Sequence, residues 1–431
     1  MTKDRNPLLK VAVISDIQGY AEEYDWGMHN TELAFKLLAP KQPDVLMMGG
    51  DLADGPRKDA FEYYQNLVHR YFAGKIPVSV ACAGNHDYSS AEKHDAAWSE
   101  ELYRRFSAAL EQTPDNPYHQ VISGYDFIAL SEDITSSNPL HYSESMIAKL
   151  DAELKKAVSR DPEKPVFVIT HFLPRNTVPG SHGASGIPEL RELFNQYPQV
   201  VSFSCHVHYP LEDERNIWQG EFTAVQTSSL SYACMEEKPF NSCNSIIPFA
   251  REAVQCLYLE IFADHLEIHR YNVEDQREIK PDQVWNVDIP YLPATARYTD
   301  ARKKSRKAPE FPSGTQAYLR YDYGYLYLIF EQAEHEDFTQ FYKLILSDLD
   351  EAGNAVFKSE TLYVSNFYRL ERNRDHRQVI QLPGKDLTPK GRMRAEIYPV
   401  ESFGNIGKPL IVDFRNPCSS PKPGLTERPQ E

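Results

Sequence analysis

The chain predicts an α/β layered fold over its first two thirds and an all-β sandwich over its last third. Three observations carry this. Near-continuous apolar runs that end in polar residues recur through the first part, and stretches of helical spacing lie between them. From about residue 315 the runs become short, alternating and aromatic, with regular turns.

The apolar runs are "KVAVISD" (10–16), "DVLMMGGD" (44–51), "PVSVACAGNHD" (77–87), "YDFIALSED" (125–133), "PVFVITHF" (165–172) and "QVVSFSCHVH" (199–208). Each is short enough for a strand and apolar enough to be covered on both faces. Residues 29–39, 58–73, 91–111, 143–159 and 187–195 have the spacing of amphipathic helices. "CLYLEIFADHLEIHRYNV" (256–273) reads as an antiparallel hairpin. The Pro-bearing basic segment 291–314 reads as a linker or wrapping loop, solvated or docked on the first domain. The expected organisation is a first domain over 1–285, a linking segment over 286–314, a β-sandwich over 315–418 and a frayed tail over 419–431.

With 431 residues, 41% of them hydrophobic, the chain is long and apolar enough for one large or two ordinary domains with real cores. A net charge of −16 argues against duplex nucleic acid as the main partner. No run reaches the length of a membrane span, and "MTKDRNPLLKVAVISD" reads as a first strand, not a leader. Six cysteines without paired spacing fit reduced thiols and a cytoplasmic location, or a secreted or periplasmic one had a leader been trimmed.

Polar residues close each apolar run. Asp16 and Gln18 follow the first, Gly50 and Asp51 the second, Gly84, Asn85 and His86 the third, His171 a later one, and His206 and His208 the last. Any one block is ordinary turn chemistry. Five in one order, each at the carboxyl end of a strand, are the places where α/β sheets build their sites.

This series resembles that of the calcineurin-like metallophosphoesterases, whose pattern runs D-x-H, G-D-x-x-D, G-N-H-D/E, H and G-H-x-H; the resemblance covers about residues 9–275. It implies a four-layer α/β/β/α sandwich with two metals at the strand ends. One metal is expected to take Asp16, Gln18, bridging Asp51 and His208, and the other Asp51, Asn85, His171 and His206. His86 matches the catalytic histidine and Asp54 the acid that orients it. The implied ions are Mn²⁺, Fe²⁺/Fe³⁺ or Zn²⁺, and the implied substrate is a small phosphoester. The donor chemistry agrees: two dications lower the pKa of a bridging water and neutralise phosphoryl charge. Two carboxylates and a hydroxide leave the site with about one unit of positive charge, suited to an anion.

Two positions depart from the pattern. Gln18 stands where histidine is usual, giving D-x-Q; an amide oxygen is the weaker donor to late first-row ions, which predicts a looser first metal and a preference for Mn²⁺. Cys205 stands where glycine precedes H-x-H. On a continuing strand its side chain points away from His206 and His208, so it reads as a buried, inert thiol.

Around the metal shell the candidate substrate contacts are Arg175, Asn176 and His182 in the loop "THFLPRNTVPGSHGASG", Trp26 and His29 after the first strand, and Tyr88 beside "GNHD". "RAEIYPVESFGNIGKPL" (394–410) resembles the last strands of an immunoglobulin or fibronectin type III sandwich. Two functions follow: a dinuclear phosphohydrolase with diesters slightly favoured, or a metal-binding member of weak or no turnover that serves as a glycan- or protein-binding module.

Overall fold

The computed structural model describes residues 6–20, 25–55, 57–88, 96–132, 142–243 and 245–417. Parts of the expected 19–30 loop and 91–111 helix, Asp133, Cys418 and the 419–431 tail lie outside these residues. The chain divides into two compact units, Met1–Glu236 with Ala250–Thr299, and Glu237–Phe249 with Asp300–Glu431.

The first unit holds two mixed sheets. In one, Leu9–Ile14, Val45–Met48 and Val78–Ala81 run parallel, and Gln255–Ile261 joins Leu9–Ile14 antiparallel. In the other, Tyr125–Leu130, Val166–Thr170, Val200–Ser204 and Thr223–Gln226 run parallel. Alternation along the strands explains the layers. Val11, Val13, Val45 and Met47 point into a core shared with Phe127, Phe167, Ile169 and Phe203 of the second sheet. Ala12, Ile14, Leu46 and Met48 point outward to Phe35, Tyr64 and Phe106 on helices. Ile128, Leu130 and Val168 meet Leu150, Leu154 and Leu190 on the far side. The result is helix, sheet, sheet, helix, and its continuous apolar strands are those that need cover on both faces.

The helix Trp26–Leu38 starts on Asp25, whose carboxylate accepts from Gly27 N at 3.0 Å. The expected 256–273 hairpin is the antiparallel pair Gln255–Ile261 and His265–Asn272. The strand Val200–Ser204, however, stops short of Cys205. The alternation argument for Cys205, His206 and His208 therefore has no strand to act on, and their directions are set by the turns described below.

The first unit extends further than residue 285. Trp285–Asp288 pairs with His265–Ile268, so the start of the expected linker is a strand. The segment Glu237–Phe249 leaves the first unit and belongs to the second.

The second unit packs a three-stranded sheet, Tyr318–Asp322, Tyr325–Glu331 and Arg377–Gln381, on a four-stranded one, Thr339–Leu349, Ala355–Val364, Arg392–Glu401 and Leu410–Arg415. Every pairing is antiparallel. Leu326, Leu328 and Phe330 face Tyr342, Leu344 and Leu346 across its core, as expected of a β-sandwich. The basic segment docks on this unit: Arg306 pairs with Asp337 and, at 3.3 Å, with buried Glu401, and its guanidinium lies 4.7 Å over the Phe403 ring.

Candidate metal centre

Parallel strands of the first unit end at Ile14, Met48 and Ala81 in one sheet and at Thr170 and Ser204 in the other. The expected ligands follow them within a few residues. Five of these, Asp16, Gln18, Asp51, His206 and His208, have left-handed backbones, with φ of 49°, 49°, 53°, 68° and 52°. Each such residue costs on the order of 1–3 kcal/mol and persists only where its surroundings enforce it. The turns brace one another: Asp16 N donates to Gly50 O at 3.1 Å, Gln18 N to Asp51 O at 2.8 Å, and Cys205 N to His171 O at 3.1 Å. Gly84 is needed for close approach, since a Cβ there would collide with Asp51 Oδ1 and the His171 ring.

The side chains converge as acceptors. His171, fully buried, has Nδ1 2.8 Å from Gly49 O, so that nitrogen donates. Its Nε2 lies 3.1 Å from Asn85 Oδ1, 3.2 Å from Asp51 Oδ2 and 3.2 Å from His206 Nδ1. Beside this group, His208 donates from Nδ1 to Tyr232 O at 3.0 Å, which turns Nε2 toward Asp16 Oδ1, also at 3.0 Å. Asp16 Oδ1 and Asp51 Oδ2 are buried and have only the imidazole nitrogens of His208 and His171 set against them among the contacts described above. Orphaned buried carboxylate oxygens facing imidazole nitrogens are a costly arrangement unless a cation stands among them.

The electrostatics carry the same demand. Burial opposes charge on His171, but Asp51 beside it prevails and lifts its pKa to about 10. Burial, helped by His171, pushes His206 down to about 3. Burial pushes Asp51 up, yet His171 and the other imidazoles hold it below the ordinary carboxylate range. One positive charge is wanted at His171 Nε2. A proton or a metal ion supplies it, and ligation requires the neutral ring. Asp51, His171 and His206 place one donor atom each within 4.8 Å of one another, and the donor set fits a divalent ion.

His86 stands alongside. Its backbone N donates to Asp51 Oδ1 at 2.8 Å, and its Nδ1 lies 2.7 Å from Asp54 Oδ1. The other oxygen of Asp54 takes the Tyr20 hydroxyl. Burial lowers the His86 pKa, but Asp51 and Asp54 more than offset it and raise it. Asp87 closes "GNHD" in a positioning role: buried, it accepts from Ala53 N and Gly84 N, both at 2.9 Å, and ties the second and third turns together.

A cavity of about 560 Å³ opens at the centre, lined by Gln18, Tyr20, Trp26, Asp54, Tyr232 and Arg251 among others. Gln18 Oε1 accepts from Ser231 Oγ at 3.2 Å. Of the expected substrate contacts, Trp26 lines the cavity. His29 is exposed one turn along the same helix, its ring edge-on to Trp26 at 6.4 Å, and is not among the lining residues. Arg175, Asn176 and His182 are exposed and absent from the lining; His182 Nδ1 meets Asn176 Oδ1 at 3.0 Å. Tyr88 is a correction: the helical turn Asn85–Tyr88 carries its ring into the core with Leu102 and Tyr103. Sequence reasoning missed Tyr20, Ser231, Tyr232 and Arg251. The small polar run "SSLSY" after the strand Thr223–Gln226 was a usable signal; Arg251 had none.

Cys205 is buried, and its Sγ fills the space against Gly49, where a Cβ would overlap it. Burial and Asp16 push its thiol well up, so it is neutral and unreactive.

A helix-flanked pair of sheets with buried carboxylates and imidazoles at its strand ends defines a metallophosphoesterase α/β domain carrying a candidate metal site. Residues 9–210 match the family model described as calcineurin-like phosphoesterase, a family of metal-dependent phosphoesterases. No curated protein sequence matches the chain. Among solved structures, GAP50, the anchor in the inner membrane complex of Plasmodium, is 12% identical with a TM-score of 0.43, over 68% of this chain and 90% of that one. The purple acid phosphatase PPD1 of yellow lupin (Lupinus luteus) is 13% identical with a TM-score of 0.47, over 67% of this chain and 55% of that one. Vacuolar Protein Sorting 29 from Cryptosporidium parvum is 11% identical with a TM-score of 0.30, over 67% and 100%. Likenesses this distant assign no activity. Among the described residues no helix is long and apolar enough to cross a membrane.

Proposed function

We propose that the first unit is a dinuclear metal-dependent phosphohydrolase that cleaves small phosphoesters, diesters in preference to monoesters. The observation that carries this reading is the convergence of His171 Nε2, Asp51 Oδ2, Asn85 Oδ1 and His206 Nδ1, with Asp16 and His208 beside them. In this reading Asp16, Gln18, Asp51 and His208 hold one ion, and Asp51, Asn85, His171 and His206 the other, with Mn²⁺ favoured by the amide at Gln18. When bound, two divalent ions supply an activated water and neutralise phosphoryl charge.

The chain's own residues do the rest. Asp54, through its 2.7 Å contact with Nδ1, orients the His86 ring. His86 donates a proton to the leaving oxygen or hydrogen-bonds the phosphate. The cavity beyond Gln18 and Asp54 receives the organic part of the ester. The diester preference is supported by "GDLADGP", which lacks the arginine-bearing G-D-x-V-D-R-G of the protein phosphatases. A cytoplasmic location is favoured by six cysteines that lack paired spacing in the sequence.

A second reading, a metal-binding module of weak turnover, is favoured by one feature of the second unit. Its sandwich, of immunoglobulin or fibronectin type III kind in this reading, has a cavity of about 650 Å³ lined by Phe240, Ile246, Phe249, Tyr368, Arg369 and Val379 among others, as a glycan or protein site requires.

The test is hydrolysis of bis-p-nitrophenyl phosphate and p-nitrophenyl phosphate by Mn²⁺-loaded protein, with His86→Ala alongside. Faster turnover of the diester, and a loss of about 10²-fold or more in kcat for His86→Ala, support the phosphohydrolase. Two bound metals with no turnover of either ester support the module.

A further inference from the structure

Among the described residues that line the cavity at the metal centre, Arg251 is the one cation, in a chain of net charge −16. Its backbone is fixed from both sides. It sits in the short turn Ala250–Glu252, where Ala250 O accepts from Ala233 N at 3.1 Å and Ala253 N at 3.3 Å, and Glu252 O accepts from Asn272 Nδ2 at 2.8 Å. The guanidinium lies 4.8 Å over the ring of Trp26. Trp26 is itself held at the start of its helix by the Asp25 cap; it lines the cavity and is 52% exposed.

The two lining carboxylates are otherwise engaged. Asp25 accepts from Gly27 N and Tyr20 N, and Asp54 accepts from Tyr20 and holds His86. Among the described residues Arg251 has the indole and no carboxylate partner. An aromatic face holds a guanidinium in place without neutralising it and leaves its edge, with several N–H donors, available to an oxyanion. Gln18, a proposed ligand, and Arg251 line the same cavity, so one molecule can reach both.

We infer that Arg251, held by Trp26, binds a second, non-scissile anionic group, so that the preferred substrate is a phosphoester bearing a carboxylate or further phosphate on the side away from the scissile bond. This rests on the phosphohydrolase reading for the identity of the reacting ester. The pair sets specificity and does not touch the reacting atoms.

The test uses p-nitrophenyl phosphodiesters whose second alcohol ends in a carboxylate, each beside its carboxamide isostere, with linkers of two to five methylenes so that one member spans the cavity. The quantity read is the ratio of kcat/KM for carboxylate over carboxamide within one protein, which cancels general damage in a variant. The expected ratio for the best linker is about tenfold or more in the unaltered, metal-loaded protein, as a charge-assisted hydrogen bond provides. It falls close to one in Arg251→Met and stays intermediate in Arg251→Lys, which keeps the charge but not the planar fork. A ratio near one for every linker, or a ratio that survives Arg251→Met, overturns the inference. If the unaltered protein hydrolyses none of the esters, the phosphohydrolase reading has failed. Calorimetric binding of the same pairs to metal-loaded protein then decides: a tenfold preference lost in Arg251→Met upholds the anion site, and equal affinities overturn it.

Discussion

His171 Nδ1 donates to the carbonyl of Gly49 at 2.8 Å, and that bond aims Nε2 at His206, whose Nδ1 lies 3.2 Å away. Two imidazole nitrogens at this distance, with Asp51 Oδ2 3.2 Å from His171 Nε2, bring three metal-ligating residues to one point.

Chelation should destabilise the first unit. With Asp16 Oδ1 and Asp51 Oδ2 orphaned, metal present at about 100 times its Kd should add about 2.7 kcal/mol, or roughly 5–10 °C in Tm for a unit of this size. The check is thermal unfolding with Mn²⁺ and with EDTA. In Asp51→Asn the difference should shrink to a degree or two by the same linkage; an equal shift in both proteins would place the stabilising ion elsewhere.

Cys205 and Gly49 should be coupled. Cys205→Ser is expected to leave metal content unchanged, because Sγ packs against Gly49 as a buried, neutral thiol. Gly49→Ala should cost about 1–3 kcal/mol through overpacking, and part of that should return in the double variant with Cys205→Gly, giving a coupling energy of at least about 0.5 kcal/mol by urea unfolding. Strict additivity would show that the two residues do not share the space. Loss of a metal in Cys205→Ser would make the thiol a ligand.

These two residues mark how far the sequence could be read. The five polar blocks are legible because each follows a strand whose apolar character is unmistakable; that they meet at one place is a matter of how the two sheets pack. The alternation argument for Cys205 does not hold: the strand ends at Ser204, and a φ of 68° at His206 sets the geometry beyond it. Tyr88 went to the core because one helical turn beyond Asn85 reverses its direction. Arg251 was invisible because its significance lies in Trp26, more than 200 residues earlier in the chain. The transfer of Glu237–Phe249 to the second unit was equally out of reach, since its partners, Leu362 O for Phe240 N and Val364 for the Asn241 side chain, are long-range.

Stability of the first unit should fall in acid through Glu214. Burial pushes this carboxyl up, but Arg270 and Lys280 beside it prevail and hold it at about 2, against 4.5 ordinarily; Nη1 of Arg270 is 2.8 Å away and Nε1 of Trp285 2.7 Å. A depressed folded pKa gives stability that is fully present above about pH 4.5 and lost as the pH falls toward 2. The contribution is on the order of 3 kcal/mol. Glu214→Gln should be less stable than the unaltered protein at pH 7, and the gap should narrow between pH 5 and pH 3. Urea unfolding followed by tryptophan fluorescence reads both, and a gap constant over that range would remove Glu214 as its source.

The most direct test of the account is the rate of bis-p-nitrophenyl phosphate hydrolysis measured against metal content, for the unaltered protein and for Asp51→Asn. Turnover should rise to its maximum as the second Mn²⁺ per chain is bound, and Asp51→Asn should bind less metal and lose activity by at least about 10²-fold. A protein that carries two metals at the Asp51 centre and hydrolyses nothing, or one whose hydrolysis survives Asp51→Asn, would contradict it.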